Sequence, residues 1–497
     1  MTYGSREAVL KRLWLAVRRE PLPGVAERRK IGGDVLVKLA DGRMMIGPDL
    51  APFAVEPADL RIQLQETAYA DPAELLKAMQ LPVDTTTLEA ELANSVRNLA
   101  MARQARIEPE IAKWQGDPHG LARMEQSVVD GHPLHPCCRT RTGMSPDEVR
   151  RYAPEHRPVV ALQIWEVPRN RWYTTGAGLP PRLPVHPWQA EHLKDLLKQH
   201  GLKPTRDTIE TRPLMSLRTL ASTSDPSRHY KTAIGVQMTS AVRQVSAAAV
   251  NNGPRITELL TRVSAGTGLR ILPEVASGAV LDGNGEPHPM LAVVVRRAPL
   301  PGPGDLWTPV AALAQTETLR QAVDLGYGGH AVAFWRDLVG VLVPPVLEML
   351  RRGVGLEAHG QNLLIRLAYG RPAEAGYRDV GGIKIHPGRL ERAGFDPPRR
   401  PGALAADDEE ELRAKPFATL FSVVLAEIAE RLAEAGDIAG TTLWRLAGEP
   451  VEQADDLSDR RALHQATLPV KATTAMRLAD DPVHDLWTPV PNPLSGA

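Results

Sequence analysis

Residues 356–384, LEAHGQNLLIRLAYGRPAEAGYRDVGGIK, constrain this chain more than any other stretch. Glu357, His359, Gln361 and Asn362 crowd together, so several polar side chains leave a short piece of backbone at once. LLIRLAYG then reads as a strand, PAEAG as a turn, and YRDV as a returning strand that stops at Gly381-Gly382. Such a hairpin brings Asp379 back beside Asn362, although the two are far apart in sequence. A carboxylate and an amide oxygen converging there are hard ligands, suited to Mg²⁺ carrying phosphate oxygens. Two small residues after the aspartate let a bulky anion approach the backbone. A plain hydrogen-bonded hairpin with a polar approach loop is the alternative reading.

The bulk properties exclude several classes. Lys plus Arg and Asp plus Glu each number 59, so net charge is zero and a dominant nucleic-acid or membrane-surface role is not expected. The chain has 497 residues, 43% of them apolar, which is ample for several cores, while its 44 prolines imply many loops. The N-terminus carries charges among its apolar positions and lacks the apolar core of a signal peptide. VGVLVPPVLEML is the most apolar run, and it is too short to span a bilayer. The only cysteines, Cys137 and Cys138, are adjacent and complete neither a disulfide framework nor a zinc site. A cytoplasmic protein with reduced thiols is expected.

Residues 1–130 read as mostly helical, with nothing catalytic. SREAVLKRLWLAV has helical apolar spacing with Ser5 as N-cap, and TTTLEAELANSVRNLAMARQARI opens with capping-box spacing. Between them GDVLVKLADGRMMIG reads as a hairpin turned at Asp41-Gly42. Next comes EQSVVDGHPLHPCCRTRTGMSPDEVRRYAPE, where Ser145 and Pro146 open a helix. Its His132, His135, Arg139 and Arg141 lie on a loop that suits an anion, unless the histidines merely cap backbone groups. In SRHYKTAIGVQMTSAVRQVS, period-two alternation puts Lys231, Gln237 and Thr239 on one strand face, with Arg243 at its exit. That face resembles the wall of an anion pocket; a solvated edge strand is the alternative.

Further on, HAVAFWRDLVGVLVPPVLEMLRRG is an apolar helix expected to pack under the hairpin. IHPGRLERAGFDPPRRPGALAADDEEELRAK reads as a mobile surface insertion whose acidic run, 407–411, is solvated. FATLFSVVLAEIAERLAEAG reads as a core helix. DLWTPV occurs at 305 and at 485, which makes no repeat architecture.

Taken together, GHPLHPCCRTRTG, LPVHPWQ, PLMSLRTLAS with KTAIGVQMTSAVRQVS, EAHGQNLLI with RDVGG, and LPVKATTAMRL resemble the NRPS-independent siderophore synthetases, the IucA/IucC-like family. Each motif is weak alone; their order from about 125 to 478 carries the resemblance. It implies an α+β cupped hand, usually dimeric: a mostly helical thumb at 1–130, and mixed helix–sheet fingers at 131–300 and palm at 301–497. It also implies a reaction in which ATP and Mg²⁺ adenylate a carboxylate, usually of citrate or a succinyl compound. An amine or hydroxyl then captures the acyl group as amide or ester.

Carried over residue by residue, His135, Ser216, Arg218, Lys231, Asn362 and Asp379 fall among nucleotide, phosphate and metal contacts. Thr239, Arg243 and His359 face the carboxylate substrate, and Glu357 and Gln361 fit the same site, Glu357 on the metal. Lys231, Arg243 and His359 are the residues expected to carry the chemistry. Arg139 stands where the pattern has Lys, and Val380 where Phe is common; Arg keeps the charge but not the geometry. His359 could orient the acid or deprotonate the acceptor.

Two rival readings come from other classes. A small-molecule phosphotransferase would share the His loop, the hairpin and the Asp before Gly. Against it, no Gly-rich loop precedes a strand Lys, and EAHGQN holds no aspartate base. The other rival is a non-catalytic anion- or siderophore-binding protein; intact Lys231, Asn362 and Asp379 speak against it.

Overall fold

Alternating apolar side chains build the largest element, an antiparallel sheet of eight strands. In order across it run Trp172–Gly176, Glu274–Leu281, Pro287–Arg297, Arg228–Thr232, Thr219–Ser222, Lys203–Pro213, Val160–Glu166 and Arg182–Val185. These coordinates come from a computed structural model that describes residues 4–238, 241–399, 402–436, 438–479 and 485–496. One face of the sheet buries Leu162, Leu183, Leu220 and Val293 against Trp188 and Leu197. Helix Ala247–Val263, capped by Ser246, covers the other face. Its Val250 packs with Ala279, Ala292 and Val294 of the sheet, whereas Ile256, Leu260 and Val263 enter a second core. This helix therefore couples the large sheet to the hairpin core.

The second core carries a four-stranded sheet, in the order Leu269–Ile271, Arg371–Tyr377, Leu363–Ala368 and Asp305–Pro309. The expected hairpin forms, but its turn is not PAEAG. Ala368 pairs with Arg371, which leaves Tyr369-Gly370 as a two-residue turn with φ of 49° and 80°. Two positive φ values match the strand twist, so the chain reverses there and PAEAG stays extended. The strand also ends earlier than YRDV implies, at Tyr377; Val380–Gly382 is a short 3₁₀ turn. Helix Ala331–Arg351 runs beneath this hairpin as expected, burying Phe334, Trp335, Leu338 and Leu342.

The N-terminal region holds more sheet than one hairpin. Strands Val25–Ile31, Asp34–Leu39, Met44–Pro48, Ile62–Leu64 and Thr67–Tyr69 follow each other in one sheet. Asp41-Gly42 lies in the turn between the second and third of these, as expected. Helix Ser5–Arg19 seats Leu10, Leu13, Trp14 and Val17 on the sheet, and Ala472 and Ala475 join the same core. Ser5 is not its cap, because Gly4 at φ 68° takes that position. Thr85 forms no capping box either; its hydroxyl donates to the Glu89 carboxylate at 2.5 Å.

The Pro- and charge-rich segment after Ile385 is packed rather than mobile in its described part. Helix Pro387–Arg392 buries Leu390 and Arg389, and Arg389 donates to Asp459 at 2.7 and 3.0 Å. Glu409 pairs with Arg389 and Arg413, and Glu411 with Lys384, so the acidic run is partnered, not merely solvated. Phe417–Leu425 is buried as expected but winds as a π-helix before α-helix Ala426–Gly436. Both DLWTPV copies supply strands, Asp305–Pro309 and Trp487–Pro491, in different sheets. No single described helix is long and apolar enough to cross a membrane.

Gly370 tests the hairpin. A Cβ there would stand 2.6 Å from the Gly326 nitrogen, in addition to the positive φ. Gly370→Val is expected to lower the unfolding free energy by about 1–3 kcal/mol in urea denaturation. An unchanged midpoint would place the turn elsewhere.

Candidate functional site

Lys231 sits mid-sheet, paired with Thr219 on one side and Val294 on the other, and is only 7% exposed. A buried ammonium must be paired. Its Nζ donates to Asp379 Oδ1 at 2.9 Å and lies 3.6 Å from Glu274 Oε1. The large sheet and the hairpin therefore meet in one ion pair. Burial by itself would raise the Asp379 carboxyl, but Lys231, Arg218 and Arg296 hold it well below the usual range. Asp379 also keeps φ 73° and ψ 92°, a conformation costly for a non-glycine residue.

A buried carboxylate holds the loops of this site together. Glu125 accepts from the Arg378 guanidinium through Oε1 and from the Met215 nitrogen, 3.0 Å away, through Oε2. Arg378 in turn donates Nε to the Gln361 carbonyl at 3.0 Å and its own N–H to the Asn362 carbonyl at 3.1 Å. One carboxylate thus ties the Asp379 loop, the Gln361-Asn362 loop and the turn bearing Ser216 and Arg218. In that turn Ser216 Oγ accepts from Thr219, Leu217 holds φ 63°, and Arg218 donates to the Gln244 carbonyl at 2.6 Å.

The expected single strand through Lys231 and Gln237 is broken at Ala233. Arg228–Thr232 belongs to the large sheet, whereas Ile234–Met238 pairs with Ala241–Arg243 in a separate two-stranded ribbon. The pairing Ile234↔Arg243 folds Arg243 back toward Lys231 instead of placing it at the far end of an extended strand. Arg243 Nε has no partner among the described residues, and burial together with Arg218 lowers its pKa. Lys231, Arg218, Arg243 and Arg296 thus surround two carboxylates, Asp379 and Glu274, an excess of positive charge that suits an anion. Thr239 lies outside the described residues.

Three histidines complete the site. His132, His135 and His359 each accept a backbone N–H at Nδ1, from Leu134, Cys137 and Gln361 at 3.2, 3.0 and 3.2 Å. Burial lowers all three pKa values, that of His132 to about 3 with His359 adding to the shift. A neutral ring that accepts at Nδ1 carries its proton on Nε2, so these are uncharged donors. Backbone capping and a role in the site are therefore compatible. Arg139 and Arg141 do not join them: each lies 3.7 Å from buried Glu155, and Arg139 donates Nε to the Val129 carbonyl. Their charge is used inside the protein.

Glu357 accepts from Lys471 at 2.8 Å, with Lys415 at 3.7 Å, and both lysines also pair with Asp485. Gly382 lies against it so closely that a Cβ would stand 2.1 Å from Glu357 Oε2. Asn362 donates Nδ2 to the Glu357 carbonyl at 3.3 Å. Among the described residues nothing donates to the Asn362 side-chain oxygen or to Asp379 Oδ2, and no cluster of three or more His, Cys, Asp or Glu could hold a metal. Those two oxygens fit a hard cation that brings its own ligands.

Glu274, Glu125, Arg296 and Arg378 were not singled out by sequence. Arg378 adjoins Asp379, which was a usable signal; Glu125 and Glu274 sit at no diagnostic spacing.

With this geometry in view, the likenesses to known proteins take on meaning. Residues 120–178 and 181–315 match the IucA / IucC family, and residues 332–485 match the ferric iron reductase FhuF-like transporter family. Both cysteines lie outside the second match. The chain is 27% identical to an uncharacterized protein of Sinorhizobium fredii, over 86% of this chain and 84% of that one. It is 24% identical to staphyloferrin A synthase of Staphylococcus aureus, over 75% and 73% of the two chains. Its fold matches the petrobactin biosynthesis protein AsbB of Bacillus anthracis, with a TM-score of 0.83 at 20% identity over 100% and 96% of the chains. It also matches ATP-bound aerobactin synthetase IucA of Klebsiella pneumoniae, at 0.80 and 19% identity over 99% of each. Over residues 120–178 and 181–315 the chain is thus similar to the IucA / IucC family, the same family its ordered motifs resemble.

His132, partly buried in the site, sets a pH dependence. His132 titrates near 3 when folded and near its ordinary value, about 6.5, when unfolded, so below about pH 6.5 only the unfolded chain gains the proton. Stability is therefore lost as pH falls through that window, by up to about 1.4 kcal/mol per unit for this group. His132→Gln is expected to remove that part of the slope in urea denaturation series at about pH 7, 6 and 5. An identical slope in the variant would show that His132 is not held neutral.

Proposed function

We propose that the chain is an ATP-dependent carboxylate ligase that activates a small acid as its acyl-adenylate and passes it to an amine or hydroxyl. The observation that carries this reading is the Lys231–Asp379 ion pair inside a group of three further cations, Arg218, Arg243 and Arg296. Bringing a carboxylate to a triphosphate joins two anions, and fixed cations lower that cost without covalent help from the protein. The acid oxygen bonds to the α-phosphorus as the bond to the β-phosphate oxygen breaks and pyrophosphate leaves. The acceptor then bonds to the acyl carbon, the carbon–oxygen bond to AMP breaks, and the acceptor proton goes to solvent.

In this reading Lys231, Arg218, Ser216, His135, Gln361 and Asn362 hold the nucleotide, and Arg243, His359 and Thr239 hold the acid. His359, neutral with its proton on Nε2, orients a carboxylate oxygen as a donor; that tautomer supports the orienting role over the base. Mg²⁺ would sit on Asn362 and Asp379 and screen the phosphates. The third expected ligand, Glu357, would have to exchange its lysine partners for the ion. The cupped thumb, fingers and palm at 1–130, 131–300 and 301–497, a homodimer and a cytoplasmic setting belong to the same proposal and rest on the resemblance. Citrate is the first acid to test, because relatives of the chain are named D-ornithine–citrate ligase and a citryl-spermidine ligase.

The phosphotransferase reading is weaker, because both acids beside Lys231 are ion-paired with it, which lowers the basicity of Asp379. A panel of citrate, succinate and amines with ATP is expected to yield AMP and pyrophosphate; ADP with a phosphorylated acceptor would establish the rival. Arg243→Ala is expected to raise KM for the acid roughly ten- to hundredfold, and KM for ATP far less. Equal changes in both would move Arg243 to the phosphates. Asp379→Asn is expected to raise the Mg²⁺ concentration needed for half-maximal rate, and an unchanged titration would make Asp379 purely structural.

A further inference from the structure

We propose a second ligand site, built for a singly charged carboxylic acid with an apolar body, in the cleft between helix Ser5–Arg19 and the π-helix Phe417–Leu425. The cleft has a volume of about 850 Å³, within the range of small-molecule sites. Phe53, Leu134, Phe421, Trp444, Val470 and Val490 supply its apolar wall. None of Lys231, Arg218, Arg243 or Asp379 lines it.

Its charges select the ligand. Arg18, Arg28 and Lys30 line the cleft but are engaged: Arg18 and Lys30 share Asp49, and Arg28 donates to the Val17 carbonyl. Arg19 and Arg29 are different. Both line the same cleft, and among the described residues nothing accepts a hydrogen bond from either guanidinium; Glu20 and Glu430 act on Arg19 only through space. Glu430 itself accepts a backbone N–H from Phe53 at 3.4 Å.

Ser422 adds a polar group that is unsatisfied among the described residues. Its hydroxyl is buried without a partner at the cleft, whereas Thr419, one turn earlier, donates to the Lys415 carbonyl. A helical serine ordinarily satisfies itself that way. Unpaired guanidinium groups at the edge of an apolar wall, with an unsatisfied hydroxyl beside it, match a carboxylate on a hydrocarbon or aromatic body. A cation would meet five basic side chains, and a polyanion would press on Asp49 and Glu430.

The site also touches the one described above from behind. Leu134 stands between His132 and His135, and Val470 precedes Lys471, the partner of Glu357. Its existence does not depend on the ligase reading, since it is tested by binding alone.

The test titrates decanoate into the full chain by calorimetry, with and without ATP, using decylammonium as the control of opposite charge. Saturable one-to-one binding of decanoate that ATP does not displace is expected, with decylammonium at least roughly tenfold weaker. Arg19→Met should weaken decanoate roughly tenfold or more. Ser422→Phe, which fills the cleft and leaves the charges alone, should weaken it as well and provides a second test if the first variant misfolds by circular dichroism. Absent saturation, equal affinity for decylammonium, displacement by ATP, or unchanged affinity in the folded variants would each overturn the proposal.

Discussion

The contact between Lys231 and Asp379 is the constraint on which the rest depends. A lysine in the middle of a sheet cannot stay charged without counter-ions, and its own sheet offers only Glu274. The second carboxylate arrives from a different sheet, on a residue whose backbone is held outside the favoured region. Everything that fixes that arrival follows: the tight Tyr369-Gly370 turn, the Arg378–Glu125 pair, and helix Ala247–Val263 packed against the turn after Asp379. The pair is therefore a positional statement as much as an electrostatic one. Two sheets with separate cores share a register through it.

Charge economy inside the site separates two kinds of cation. Arg139 donates to two carbonyls and Arg378 is consumed by Glu125, while Arg139 and Arg141 both lie 3.7 Å from buried Glu155. Among the described residues Arg243 keeps its Nε unpartnered, and Arg218 gives one bond to a carbonyl and pairs with no carboxylate within bonding distance. The neutral histidines extend the same logic, since they add donors without adding repulsion among the cations. A site assembled in this way receives negative charge and leaves the bond making to the bound molecules.

Much of this was legible in the sequence because the signals were local. The hairpin, the helix beneath it, the Ser145-Pro146 cap and the convergence of Asn362 with Asp379 follow from spacing and turn chemistry. The failures share a cause. PAEAG carries Pro and Gly, both turn formers, but the twist of the strands favours Tyr369-Gly370. Alternation runs through Ala233 and implies one continuous strand from Lys231, but alternation does not record which sheet a strand joins. The acidic run at 407–411 looked solvated because its partners, Arg389, Arg413 and Lys384, come from other segments. Glu125 was invisible for the same reason.

The packing of the first helix bears on how the chain comes to be folded at all. Glu20, at its end, accepts N–H groups from Thr474 and Ala475 at 2.8 Å, and Thr488 donates to the Arg19 carbonyl. Ala472 and Ala475 fill the core that Leu10, Leu13 and Trp14 begin. A ribosome delivers these partners more than 450 positions apart. Most of that core comes from residues 8–138, so what the late segment supplies is its last edge: two small side chains and the N–H groups that satisfy Glu20.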